Sequence, residues 1–142
     1  TVLVKDINDG VASSDPDSFA VFNGALYFCA YDDIHGQELW KTDGTAAGTI
    51  LVKDIDAGSS SSVPYELTVF NDALYFVAYD STRGQELWKT DGTAAGTVLV
   101  KDINPGQASA DPTDLACNNN ALVFSAFHLR YGFEPWIVSI HK

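Results

Sequence analysis

The chain has 142 residues, of which 46% are hydrophobic and 19% charged, so it can bury a core and its composition excludes intrinsic disorder. Its formal net charge of −11 at pH 7 argues against nucleic acid and anionic membrane surfaces as partners, because like charges repel. No apolar run reaches the roughly 20 residues that span a membrane, so membrane insertion is not expected.

The chain starts at Thr1, contains no methionine and carries no charged-plus-apolar leader. A translated chain needs an initiator, so we expect either a processed mature form or a segment of a longer protein. We expect a secreted or surface-displayed protein.

A twenty-residue stretch dominates the chain and occurs twice. Residues 36–55 read GQELWKTDGTAAGTILVKDI, and residues 84–103 repeat it with Val98 in place of Ile50. The offset is 48 residues, and ALYF at residues 25–28 returns at the same offset at residues 73–76. A fixed period of this length predicts a repeat architecture within one domain. The three repeats comprise residues 1–48, 49–96 and 97–142.

The pattern of each repeat predicts four short antiparallel strands. β-Branched and aromatic residues alternate with polar ones, and turn residues (Gly, Asn and Asp) separate these segments. The chain opens with TVLVKDI at residues 1–7, a segment that recurs at residues 49–55 and 97–103 as the outermost strand. In the middle repeat the predicted strands, from inside outward, are residues 67–71, 73–79, 85–90 and 97–103.

Four antiparallel strands in about 40–50 residues are typical of one blade of a β-propeller. The third repeat stops after its third strand, whereas the first begins with a spare outer strand. Propellers have about four to eight blades, so three are too few. We therefore predict an all-β propeller of three blades per chain, completed to a six-bladed ring by a second copy. In this homodimer each N-terminal strand completes the last blade of the other chain. A segment of a longer propeller is the alternative.

The repeated motif also suggests a family. Glu-Leu-Trp followed by Asp-Gly-Thr is complete in residues 38–45 and 86–93, whereas the third repeat keeps only Glu134 and Trp136, with Pro135 for leucine. The chain resembles the bacterial ELWxxDGT-repeat family over essentially its whole length. That resemblance implies tandem copies in secreted or surface proteins and a propeller-like fold, and it offers no catalytic residues to transfer. The architecture is also similar to small oligomeric propeller lectins.

The motif places an aromatic residue and a carboxylate together in every repeat. An exposed tryptophan face stacks on a sugar ring while a nearby carboxylate accepts its hydroxyls, so these pairs are candidate carbohydrate sites. Packing between blades is the competing interpretation, since large residues fill that space. The candidates are Trp40, Trp88 and Trp136, with Glu38, Glu86 and Glu134 two residues before them.

Between the second and third strands, each repeat carries a loop whose sequence differs from copy to copy. His35, Arg83 and Tyr131 offer polar groups that could orient a ligand beside the tryptophan strand. A solvated loop tip is the alternative. The Asp-Gly-Thr segments at residues 43–45 and 91–93 are interpreted as hairpin turns, in which the aspartate accepts backbone N–H bonds and the glycine adopts a positive φ.

The acidic composition leaves calcium as the one metal to consider. Asp6, Asp54 and Asp102 each precede a glycine by four residues, and hard cations prefer several oxygen ligands. This spacing does not match an EF-hand, so a turn that ends a strand is the alternative. No other cofactor is predicted.

Two cysteines, Cys29 and Cys117, lie at non-equivalent repeat positions and show no zinc-binding spacing. Two buried thiols are expected, with a disulfide as the alternative.

No GxSxG, HExxH or phosphate-loop motif is present. The sequence therefore predicts a secreted, non-enzymatic, lectin-like binding module with carbohydrate as its ligand. A structural or adhesion module that contacts proteins and a glycan-active enzyme are the alternatives.

Overall fold

The computed structural model of the chain describes residues 1–140. In that part the chain forms eleven strands and no helix, so it holds no helix that could cross a membrane. The last two residues of the third repeat lie outside the described residues. The first four strands are β1 (Asp17–Phe22), β2 (Ala25–Asp32), β3 (Gly36–Thr42) and β4 (Ile50–Lys53). The later strands are β5 (Tyr65–Phe70), β6 (Ala73–Asp80), β7 (Gly84–Thr90), β8 (Val98–Lys101), β9 (Thr113–Cys117), β10 (Ala121–His128) and β11 (Gly132–Ser139).

These strands form three antiparallel sheets in chain order, which confirms the all-β prediction. Sheet 1 contains β1 to β4, sheet 2 contains β5 to β8, and sheet 3 contains β9 to β11, with every strand beside its sequence neighbour. Among the described residues sheet 3 has no fourth strand, so β11 is an edge strand. Pro135 lies in this edge, where a missing N–H is best tolerated.

The tight turns follow from their residues. Asn23 and Gly24 join β1 to β2 with φ of 48° and 75°, the left-handed values that a two-residue hairpin turn of type I′ requires. Asn71 adopts φ of 54° between β5 and β6. Asparagine and glycine adopt this region at low cost, so the turn residues set the register of these hairpins.

Among the described residues, two buried clusters lie between neighbouring sheets, and a smaller one lies on sheet 1 against Ile7. Phe22 and Leu39 of sheet 1 pack in one buried cluster with Leu74, Phe76 and Trp88 of sheet 2. A second cluster joins sheet 2 to sheet 3 and includes Phe70, Leu87, Leu122 and Phe124. Each sheet therefore depends on its neighbour to bury its apolar face.

Residues 1–7 were expected to form a strand, and in the single chain they form none. A strand needs a neighbour for its hydrogen bonds, and no strand of the described chain pairs with this segment in a sheet. Val2 and Leu3 are 86% and 80% exposed, whereas Ile7 packs against Phe28 and Trp40 of sheet 1.

The expectation of two buried thiols is half wrong. Cys29 in β2 is buried, and burial raises the pKa of its thiol to about 12. Cys117 is exposed at the end of β9, where its thiol lies 3.5 Å from the carbonyl oxygen of Val69 in sheet 2. Both cysteines of the described chain are free thiols, so the disulfide alternative is not formed.

Candidate functional site

The motif glutamates lie inside the molecule, where they hold the loop that leads to the next sheet. Glu38 in β3 is fully buried, and its carboxylate accepts hydrogen bonds from the backbone N–H groups of Ile55, Asp56 and Ser62 at 3.1, 3.4 and 3.0 Å. The Ser62 hydroxyl donates a further bond of 2.5 Å. We call residues 55–62, and the equivalent residues 7–14 and 103–110, the clamp loops.

Glu86 repeats this arrangement between sheets 2 and 3. It is fully buried in β7 and accepts bonds from the N–H groups of Ile103 and Asn104 at 3.1 and 3.4 Å. A buried carboxylate is stable only when donors satisfy it, and the clamp loops supply them. The motif glutamate therefore fastens each sheet to the loop of the next one.

Burial also changes the acidity of these groups. Desolvation raises the pKa of Glu38 to about 7, although the bonds from Ser62, Ile55 and Asp56 oppose the shift. Desolvation likewise raises the pKa of Glu86 to about 7, with Asp102 adding to the effect. A pKa near 7 often marks a general acid or base, but a catalytic group must reach its substrate, and these two glutamates are fully buried.

The motif tryptophans of the first two sheets are also interior residues. Trp40 and Trp88 are 6% and 5% exposed, and Trp88 packs with Phe76 and Ala78. Neither side chain presents a face on which a sugar could stack. Packing, which the sequence also allowed, therefore accounts for both: Trp88 lies between sheets 1 and 2, and Trp40 lies between sheet 1 and Ile7 of the N-terminal segment. Their indole N–H groups lack a hydrogen-bond partner in the described chain.

The third copy of the motif is more accessible. Trp136 is half-buried and its indole N–H donates to the carbonyl of Ala126 at 3.1 Å. The Lys101 ammonium lies 5.4 Å from the centre of its ring. Glu134 is exposed, because β11 has no following strand and clamp loop among the described residues.

The variable loops of sheets 1 and 2 are held by an aspartate at the end of the second strand. The His35 ring lies 2.8 Å from Asp32, and the Arg83 guanidinium donates to Asp80 at 2.9 Å. Burial raises the pKa of both carboxyls, but hydrogen bonds from the loop outweigh it and leave each pKa below its usual value. His35 and Arg83 therefore lie beside an anionic partner within their own loop.

The corresponding loop of sheet 3 is different. His128 replaces the aspartate, and its ring stacks on Tyr131 with centroids 4.9 Å apart. The Arg130 guanidinium lies 5.6 Å from the centre of the Tyr131 ring, and Tyr131 is 57% exposed. Sequence analysis had singled out Tyr131 but not its contacts, because stacking across a turn depends on the conformation of the loop.

A cleft of about 390 Å³ opens between sheets 1 and 2 beside the Asp-Gly-Thr turns. Tyr27, Lys41 and Asp91 line it, and the Lys41 ammonium donates to the carbonyl of Gly92 at 2.7 Å. Sequence analysis missed this cleft because two sheets from different repeats form it. The Asp91 carboxylate accepts hydrogen bonds from the N–H and the hydroxyl of Thr93 at 2.9 and 2.7 Å, as expected for the aspartate of a hairpin turn.

The three aspartates considered as calcium ligands form hydrogen bonds within their own turns. One carboxylate oxygen of Asp6, Asp54 and Asp102 accepts the N–H of the glycine four residues later, at 3.1, 3.1 and 3.4 Å. The other oxygen of Asp54 and of Asp102 is buried without a partner. No group of three or more His, Cys, Asp or Glu side chains suited to a metal occurs in residues 1–140.

No model of a known protein family matches the chain, and a comparison with curated proteins finds no relative.

Proposed function

We propose that this chain is a non-enzymatic, lectin-like carbohydrate-binding module whose ligand contacts come from the loop between β10 and β11. The cluster of His128, Arg130 and Tyr131 carries the proposal. Its tyrosine ring is 57% exposed and stacks on His128, while Arg130 supplies several hydrogen-bond donors. An aromatic surface with adjacent polar groups is the chemistry that binds the apolar face and the hydroxyls of a sugar.

The repeated and the unrepeated residues serve different purposes in this proposal. The motif residues Glu38, Glu86, Trp40 and Trp88 build the scaffold, because all four are buried. The ligand residues belong to positions that differ between repeats. Since binding residues concentrate on loops held by a rigid scaffold, this division suits a binding module.

We further propose that the three sheets are blades of a β-propeller and that two copies of the chain complete a six-bladed ring. Within residues 1–140 the third sheet has no fourth strand, and residues 1–7 lie beside sheet 1 without a strand partner of their own. A secreted or surface location and the resemblance to the ELWxxDGT-repeat family belong to the same proposal.

A structural or adhesion module that contacts proteins is the second candidate. It is favoured by the apolar residues exposed on sheet 3, including Phe133 at 60% and Ile137 at 63%. A glycan-active enzyme has less support, because two accessible carboxylates must flank the scissile bond and the glutamates with raised pKa are buried.

A glycan array with the labelled protein, run with and without a calcium chelator, tests the function. We expect binding to one coherent class of sugar, and loss of binding with chelator would add calcium to the site. Tyr131→Ala removes the exposed ring and should abolish binding. Leu129→Ala, at a residue of the same loop that is 73% exposed, is the matched control and should bind normally. A blank array in both conditions, or full binding by Tyr131→Ala, would refute the proposed site.

A further inference from the structure

The two contacts between sheets follow one pattern of hydrogen bonds. At each contact a glutamate of the third strand accepts N–H groups from the clamp loop of the next sheet. A serine hydroxyl of the same loop accepts the N–H of the residue before that glutamate, at 2.9 Å from Gln37 to Ser61 and 3.0 Å from Gln85 to Ser109. Residues 1–140 contain three clamp loops, and only two of these bind a glutamate from the same chain.

The clamp loop without a glutamate is residues 7–14, and it is already folded. The Asn8 amide donates to the carbonyl of Ser13 at 3.2 Å, as the Asn104 amide does to Ser109 at 3.1 Å. The carbonyl of Ser14 accepts the N–H of Tyr31 at 2.8 Å. The equivalent bond from Tyr79 to Ser62 is 2.9 Å, so this loop docks on sheet 1 as the second loop docks on sheet 2.

The segment before this loop also occupies the place of an outer strand. The Lys5 ammonium donates to the carbonyl of Thr49 at 2.8 Å. Lys53, which belongs to the outer strand β4, donates to the carbonyl of Thr97 at the same distance. Residues 1–7 therefore lie against sheet 1 as β4 lies against sheet 2.

At the other end of the chain, one glutamate lacks a clamp loop. Glu134 occupies the repeat position of Glu38 and Glu86, but it is exposed and accepts none of these bonds within residues 1–140. Its strand is not followed by the usual hairpin, because Val138, Ser139 and Ile140 stand where the other repeats have Thr-Asp-Gly. The edge of β11 is therefore open.

We propose that Glu134 is the closing residue of the ring and accepts hydrogen bonds from the clamp loop of a second copy of this chain. The donors are the backbone N–H groups of Ile7 and Asn8 and the N–H and hydroxyl of Ser14, which correspond to Ile55, Asp56 and Ser62. This inference rests on the proposed two-chain ring and names the contact that closes it.

The exposed apolar residues fit the same contact. In sheet 2, Trp88 pairs with Leu99 and Lys89 with Val98. The same register would place Leu3 opposite Trp136 and Val2 opposite Ile137. Val2, Leu3 and Ile137 are 86%, 80% and 63% exposed in the single chain, so pairing would remove a row of apolar surface from water. Ile137 and Phe133 replace the lysine and glutamine found at these positions in sheets 1 and 2, which favours an apolar occupant.

Gly132, two residues before Glu134, allows a steric test of the closing contact. A Cβ on Gly36 would lie 2.1 Å from the carbonyl oxygen of Ser60 in the adjoining loop, and a Cβ on Gly84 would lie 2.8 Å from the backbone nitrogen of Ser109. A Cβ on Gly132 would meet nothing within 4 Å. All three glycines have φ between 71° and 76°, so replacement by alanine strains each backbone alike. Only a second copy would add a clash at Gly132.

Sedimentation equilibrium over a range of concentrations tests the proposal. We expect the wild-type chain to form a dimer of twice 15.3 kDa. Glu134→Gln should raise the dissociation constant about tenfold or more at each of the two contacts, so about 100-fold in all. Gly132→Ala should prevent dimerisation. Asp72→Asn changes the net charge by the same amount on the middle sheet and should leave the dimer intact.

A second measurement separates loss of assembly from loss of folding. At concentrations where all variants are monomers, Glu134→Gln should melt at the wild-type temperature, because Glu134 is exposed there. Ser14→Ala should weaken the dimer, and its effect should not add to that of Glu134→Gln, because both remove the same contact.

A wild-type monomer at every concentration would overturn the ring and the closing contact together. A dimer that Glu134→Gln leaves unchanged would overturn the closing contact alone.

Discussion

The side chains of Glu38 and Glu86 are ionisable and fully buried. Each carboxyl group accepts hydrogen bonds from several backbone N–H groups of the clamp loop that follows. Leaving buried donors without an acceptor costs more free energy than the bonds themselves contribute, because the donors have already lost their water. Each glutamate therefore controls the packing of two sheets, although it lies in only one of them.

Glu38→Gln tests this role. The amide keeps the shape of the side chain but places an NH₂ group against N–H donors of the clamp loop, so about 1–3 kcal/mol of the free energy of unfolding should be lost. Urea unfolding followed by tryptophan fluorescence measures it. Asp72→Asn, at an exposed turn residue, should unfold like the wild type; equal stability of all three proteins would contradict the role of the glutamate.

The raised pKa values predict how stability depends on pH. Both glutamates have a folded pKa of about 7 against an ordinary value of 4.5, so the folded state binds more protons between these values. Their contribution to stability is therefore fully present below about pH 4.5 and is lost as the pH rises through about 7.

The thermal midpoint should accordingly fall between pH 5 and pH 7.5, and this slope should be smaller in Glu38→Gln and Glu86→Gln than in Asp72→Asn. Asp32 and Asp80, whose pKa values are lowered, act in the opposite direction and only below about pH 4. An unchanged slope in both glutamine variants would show that the glutamates do not titrate in this range.

The two thiols should react differently. Cys29 is buried with its pKa raised to about 12, so it presents almost no thiolate near pH 8, whereas Cys117 is exposed. A thiol-specific chromogenic reagent should modify one cysteine per native chain and two after unfolding in guanidinium. Rapid modification of two thiols in the native protein would contradict the burial of Cys29.

At the scale of the elements, the hairpins follow from local sequence, but one loop position carries strain. Asp15, Val63 and Asp111 occupy the same position in the three repeats and all adopt left-handed φ, at 40°, 46° and 45°. Aspartate tolerates this region through local hydrogen bonds, whereas a β-branched side chain clashes with its own backbone. Val63 is 42% exposed, so little packing compensates for the strain.

Val63→Asp should therefore stabilise the protein by about 1 kcal/mol, because it restores the residue that the other two repeats use. The reciprocal change, Asp111→Val, should destabilise it by a similar amount. Differential scanning calorimetry of both variants measures the effect, and a lower melting temperature for Val63→Asp would argue against strain at this position.

At the scale of the whole molecule, the first and the third sheet of the described chain end in unlike surfaces. Sheet 1 is faced by residues 1–7, and sheet 3 ends in the open edge of β11. An open edge invites pairing with another chain, so an arrangement that closes it also protects the molecule from uncontrolled association. The two ends complement one another because both derive from the same repeat.

Removing residues 1–4 tests the role of the N-terminal end. Val2, Leu3 and Val4 are at least 40% exposed, so the shortened chain should keep the three sheets and its circular dichroism spectrum. It should nevertheless lose the dimer in size-exclusion chromatography with light scattering. A shortened chain that still dimerises would exclude strand exchange at this end.

Several features could be predicted from the sequence because they depend on local pattern. The period of 48 residues, the alternation within strands and the Gly, Asn and Asp turns predicted antiparallel sheets, and the structure confirms them. Tyr131 was also singled out correctly as a loop residue. The roles of Glu38 and Trp40 stayed open, because a Trp–Glu pair suits a sugar site and a packed core equally well.

The sequence by itself determined the all-β class, the 48-residue period and the positions of the turns, since the strands and turns depend on residues close together in the chain. Only the tertiary structure decided which motif residues are buried, that Cys117 is exposed, and that Glu38 holds a loop 17 to 24 residues away. The physical reason is that burial depends on the neighbouring sheet. Identical motif sequences are enclosed in sheets 1 and 2. In sheet 3, Glu134 is exposed because no further clamp loop follows among the described residues, and Trp136 is half-buried against the cluster that joins sheets 2 and 3.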